Sequence, residues 1–126
     1  MVQTDVSQLS AECKDWLQIL RNYRDEFQTS KRSLQEVCKK SLSKDQMLEL
    51  EHFDNQFHIQ LINIHDLKHS VKTHERKIEM ESSGSENLSE QAYTLHEELL
   101  NEFLSLESTL QELRKDLKNF ISATSC

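Results

Sequence analysis

The chain has 126 residues, 29% of them charged and 36% apolar, with 22 acidic against 15 basic side chains and a formal charge of −7. That length suits a single domain, and the acidic balance opposes binding to phosphate backbones or anionic membranes. Proline is absent and glycine occurs once, at Gly84, so little interrupts a helix and little is available for the tight turns of a sheet protein.

The first predicted helix covers about residues 5–41. Val6, Leu9, Cys13, Trp16, Leu20, Tyr23, Phe27, Ser30, Leu34 and Val37 step by alternating three and four, a heptad series in which Ser30 is the only clearly polar member. Near its end, Leu42-Ser43-Lys44-Asp45-Gln46-Met47 reads as a new helix start. Ser43 and Gln46 form a capping box, with Leu42 and Met47 in the staple positions on either side. A tight turn is therefore expected at Ser41 to Ser43. The competing arrangement is one continuous rod over residues 5–80, about 110 Å long, which would need a partner chain.

The second predicted helix covers about 44–80 and carries Leu50, Phe53, Phe57, Leu61, Ile64, Leu67, Val71 and Ile78 on one face, widened by Ile59 and Ile62. A loop is expected over 81–87, where small polar residues surround Gly84, and Asn87 followed by Glu90 offers the next cap. The third predicted helix covers about 88–121, with Leu88, Ala92, Leu95, Leu99, Phe103, Leu106, Leu110, Leu113, Leu117 and Phe120. Its consecutive four-residue steps from Leu95 to Phe103 read as a stutter, and Ala123 to Cys126 as a fraying tail. Three long helices with two short connections predict an all-α, elongated, antiparallel up-down-up three-helix bundle, with residues 1–126 as one coiled-coil-like domain.

Charge supports that order. Lys31, Arg32, Lys39, Lys40 and Lys44 lie near the first turn, where Asp45, Glu49, Glu51 and Asp54 open the second helix. Lys68, Lys72, Arg76 and Lys77 likewise close the second helix toward the acidic Glu86, Glu90, Glu97, Glu98, Glu102 and Glu107. Exposed pairs contribute only ~0–1 kcal/mol each, so they select an arrangement without supplying its stability.

Chemistry-bearing residues are few. His65 and His69 stand at i,i+4, and His58 lies one heptad before His65, so a metal site with Asp54 or Asp66 can be drawn. No thiolate or second ligand pair accompanies it, and the expectation is rim histidines and no metal or cofactor. A pH-sensitive cluster would require several of the rings to be buried or brought together. Cys13 occupies a core position, Cys38 lies beside the seam and Cys126 lies in the tail. None has the basic surroundings of a catalytic thiol. A glycine-rich phosphate loop and a nucleophile elbow are both missing, so no catalytic function is expected. Leu17, Ile19 and Ile62 lie off the narrow seams and form the candidate partner-binding strip, the alternative being ordinary packing in a three-helix core.

The start MVQTDVSQLS has no signal-peptide pattern, no run of 18 apolar residues occurs, and the three cysteines lack CxxC spacing. The expectation is a cytoplasmic protein without direct membrane insertion or nucleic-acid partners. It would bind other proteins through helical faces, with self-association open.

The lone tryptophan early in a heptad-patterned helix, in CKDWLQIL, followed by a second helix and a leucine-rich third, resembles the spectrin-repeat family over about residues 5–121. Phe103 and Leu106 stand where such repeats often carry a second tryptophan, and the first helix is longer than the family pattern. The resemblance implies a cytoskeletal, nuclear-envelope or junctional scaffold unit. The rival classes are a small coiled-coil subunit of trafficking, centrosomal or kinetochore machinery and a regulatory three-helix domain of membrane-fusion machinery with a groove beside its third helix. A helical cytokine ranks last, lacking paired cysteines.

Overall fold

A computed structural model describes residues 6–37, 42–84 and 89–124. Three helices follow one another: α1 (Val6–Val37), α2 (Lys44–Gly84) and α3 (Glu90–Thr124). At 1.5 Å per residue their 32, 41 and 35 residues span about 48, 62 and 52 Å. Expectations for Cys38, Lys39, Lys40, Ser41, Glu86, Asn87, Leu88 and Cys126, and for the Val37 side chain, lie outside the described residues.

The contacts fix an up-down-up order. Phe27 of α1 meets Phe57 of α2 edge-on at 5.3 Å, and Gln35 Nε2 donates to Asp54 Oδ1 at 3.4 Å, so those helices run antiparallel. Ser89 Oγ donates to Glu81 Oε1 at 2.9 Å while Phe53 packs on Phe120 at the far end, so α2 and α3 are antiparallel as well. Trp16 against Phe103 and Glu26 against Arg114 leave α1 and α3 parallel.

The expected capping box is present. The Ser43 N–H donates to Gln46 Oε1 at 2.9 Å, and the Gln46 N–H donates to Ser43 Oγ at 3.2 Å, satisfying two otherwise orphaned groups at the start of α2. Leu42 packs against the core, but Met47, its expected staple partner, stays exposed. The cap of α3 is Ser89, whose Oγ accepts from the Ala92 N–H at 3.2 Å.

Four local expectations are corrected. The helix α2 continues through Gly84 instead of yielding to a loop at residue 81: half-buried Glu81 follows Ile78 by one seam step and holds Ser89. At its far end α3 remains helical to Thr124. The buried face of α2 is Phe53, Phe57, Gln60, Ile64, Leu67, Val71, His74 and Ile78, an unbroken 4-3 alternation in which Gln60 replaces half-buried Leu61. On α3 the seam runs Ala92, His96, Leu99, Phe103, Leu106, Leu110, Leu113, Leu117 and Phe120, again strictly alternating, with Leu106 half-buried. His96 takes the place assigned to Leu95, and the stutter disappears. A seam read from apolar residues alone steps onto the neighbouring leucine wherever a polar residue occupies the true core position.

The apolar seams, more than the charged ends, hold the helices in order. Among the described residues, the arginine–carboxylate pair between helices is Arg114–Glu26, bidentate at 2.6 and 2.7 Å, and neither residue belongs to the complementary ends expected from the sequence. Arg114 also lies over the Tyr23 ring at 5.0 Å, and the Tyr23 hydroxyl reaches Glu107 Oε2 at 3.5 Å. The hydrogen bonds that Arg114 donates to Glu26 raise the Arg114 pKa above its ordinary value.

Candidate functional site: a buried cysteine–histidine layer

The bundle core contains one layer whose side chains can do more than pack. Cys13 from α1, His74 from α2 and His96 from α3 occupy seam positions of their respective helices and are 0%, 1% and 6% exposed. A heptad seam repeats on every helix, so three antiparallel helices bring one residue from each into a common layer. The Cys13 sulfur and one nitrogen from each ring lie within 4.8 Å of one another. His74 Nε2 and His96 Nδ1 share a hydrogen bond of 3.0 Å, with ring centroids 5.1 Å apart.

The surroundings fix the layer further. One seam step along α1, Trp16 tilts over His96 at 4.7 Å and stacks on Phe103 at 5.9 Å, covering the layer on that side. On the other edge of the His96 ring, Nε2 lies 3.5 Å from Glu12 Oε2. Glu12 Oε2, His74 Nδ1, Glu75 Oε2 and His96 Nε2 are all buried atoms without a hydrogen-bond partner among the described residues. Buried polar atoms are normally satisfied, and their concentration around one layer sets it apart from the rest of the core.

Electrostatics keep Cys13 and His74 uncharged near neutrality. Burial, followed by the carboxylates of Glu75 and Glu12, pushes the Cys13 thiol up to about 12. The free thiol is therefore protonated, which removes the thiolate a nucleophile would need. Burial lowers His74 to about 4, helped by His96 and Lys77 and opposed by Glu81. A neutral imidazole offers one N–H and one lone pair, which is what a histidine–histidine hydrogen bond requires. A thiol and two imidazoles with carboxylates alongside are also a donor set suited to a transition metal.

The sequence-predicted residues fall elsewhere. Leu17 is 5% exposed and belongs to the core, Ile19 is half-buried against it, and only Ile62, 48% exposed, presents substantial surface. The strip of three is thus corrected: Leu17 packs inward because a three-helix core uses a broader face than a two-stranded seam. His58, His65 and His69 are exposed. Lys68 is covered, with its pKa lowered first by burial and then by Arg24, Lys72 and Arg21.

His74 and His96 escape a seam traced through apolar residues alone, but the sequence holds a trace of both. Val71 and Ile78 stand seven apart with the seam position between them filled by His74, and the irregular steps around Leu95 vanish once His96 is admitted. That Cys13 shares their layer has no such trace.

These features define an all-α three-helix bundle with a buried cysteine–histidine layer near the end where α1 and α3 begin. No protein-family model, curated protein or solved structure matches the chain. Its likeness to spectrin repeats is the general one of three packed helices. Among the described residues, no helix is long and apolar enough to cross a membrane.

Proposed function

We propose that the chain is a non-catalytic structural module that binds other proteins along its helices, in the manner of a spectrin-like unit of a cytoskeletal or nuclear-envelope scaffold. The observation that carries this reading is the division of apolar residues on α2. Phe53, Phe57, Ile64, Leu67, Val71 and Ile78 enter the shared core, whereas Ile59 and Ile62, 45% and 48% exposed, stand one helical turn apart outside it. A module that completes its core with its own helices can spend such an outward pair on a partner helix.

A second reading, a regulatory three-helix domain of membrane-fusion machinery, is favoured by a separate feature. An open groove of about 670 Å³ runs between α2 and α3, lined by Gln60, Asn63, Asp66, Asn101, Glu102 and Thr109 among others. An additional helix with a polar face could lie there. The remaining rival, a subunit of a coiled-coil assembly, differs in needing partner chains to fold.

Sedimentation and thermal melting over a hundredfold concentration range test the leading reading. The expected result is a monomer with a constant melting temperature. A melting temperature that climbs with concentration would instead identify an obligate assembly subunit.

A further inference from the structure

We propose that Cys13, His74 and His96 form a binding site for a zinc-class divalent cation that ties the three helices together, with Glu12 holding His96 from behind. Each helix contributes one nitrogen or sulfur donor, and all three donors are more than nine-tenths buried. Nitrogen and thiolate donors favour zinc and its neighbours over magnesium or calcium, which take oxygen ligands.

The spacing is close to what coordination needs. Bonds of about 2.0–2.1 Å to nitrogen and 2.3 Å to sulfur place tetrahedral donors about 3.3–3.7 Å apart. The three donors already lie within 4.8 Å, and the nitrogens facing each other across the 3.0 Å hydrogen bond need only part slightly. With His96 Nδ1 turned toward the metal, Nε2 carries the proton toward Glu12 Oε2, now 3.5 Å away. That is the carboxylate–histidine–metal relay which orients ligating imidazoles.

Charge supplies an independent argument. A Cys13 thiolate offsets half of a +2 charge, and the buried carboxylate oxygens of Glu12 and Glu75 supply the remaining negative charge inside the bundle. Glu75 Oε2 is buried without a hydrogen-bond partner among the described residues. Binding breaks the Cys13 S–H bond and forms a sulfur–metal bond, and the proton leaves to solvent, one per chain.

The test uses the full chain, reduced and stripped with a chelator, titrated first with cobalt(II) and then with zinc(II). The expected result is saturation at one equivalent. A thiolate-to-cobalt charge-transfer band in the near ultraviolet and the strong visible absorption of tetrahedral cobalt should appear, and both should be lost as zinc displaces cobalt. The Cys38→Ser/Cys126→Ser chain should keep the bands and Cys13→Ser should lose the charge-transfer band. Glu12→Gln should weaken binding by about 10–100-fold. No saturable cobalt band in the unmodified chain would overturn the site and leave a hydrogen-bonded polar layer. Loss of the charge-transfer band in Cys38→Ser/Cys126→Ser would overturn it as well. Both of those results stand whether or not Cys13→Ser folds.

Discussion

Replacing Trp16 by alanine tests the core register and the cover over the polar layer together. The indole is 6% exposed and lies against His96 and Phe103. A tryptophan buries ~150–250 Å². At about 25 cal/mol per Å² that gives ~4–6 kcal/mol, an upper figure because the unfolded chain already hides part of the ring. Large-to-alanine substitutions in cores cost ~3–5 kcal/mol, so the two routes agree on ~3–5 kcal/mol for Trp16→Ala. For a bundle of this size the melting temperature should fall by about 10–20 °C. Because the substitution removes the fluorophore, unfolding in urea should be followed by far-ultraviolet circular dichroism. Trp16→Phe, which keeps a ring against Phe103, should cost clearly less. A change within ±0.5 kcal/mol for Trp16→Ala would mean that the ring faces solvent, and would refute both the α1 register and the covered layer.

In chelator-treated protein, His74 should make the fold acid-labile. Its folded pKa of about 4 lies below the free value of 6.5, so nothing is lost above pH 6.5, and stability falls as the unfolded chain takes up a proton between pH 6.5 and 4, by up to ~3 kcal/mol. The groups acting there are Glu12 and Cys13 from α1, Glu75, Lys77 and Glu81 from α2, and His96 from α3. The double variant His74→Leu/His96→Leu should flatten that part of the urea-stability profile, and parallel profiles for the two proteins would contradict the assignment. At the start of α2, Ser43→Ala removes the side-chain half of the capping box and should cost ~1 kcal/mol in the same assay. An unchanged urea midpoint there would mean that water replaces the cap at no loss.

Most of the architecture was readable in the sequence because it follows from local rules. The 3-4 spacing from Val6 to Leu34 alone fixes which face of α1 is buried, and Ser43 and Gln46 satisfy each other across one turn, whatever the rest of the chain does. Where the readings failed, the deciding contact came from another helix. Leu17 is buried because a three-helix core covers more of α1 than a narrow seam, and Glu81 continues α2 while accepting from Ser89 of the next element.

The candidate site belongs to the second kind. Cys13, His74 and His96 are each ordinary residues in their own segments, and a histidine on a helix is usually a surface residue, so periodicity of apolar residues passed over both rings. Only the antiparallel register of α2 against α1 and α3 sets the thiol and the two imidazoles in one buried layer. The sequence by itself determined that three amphipathic helices would form and roughly where each begins, since those outcomes depend on neighbours within one turn. The tertiary structure alone decided which polar residues meet inside, because that depends on how separate helices slide into register as their large side chains interlock.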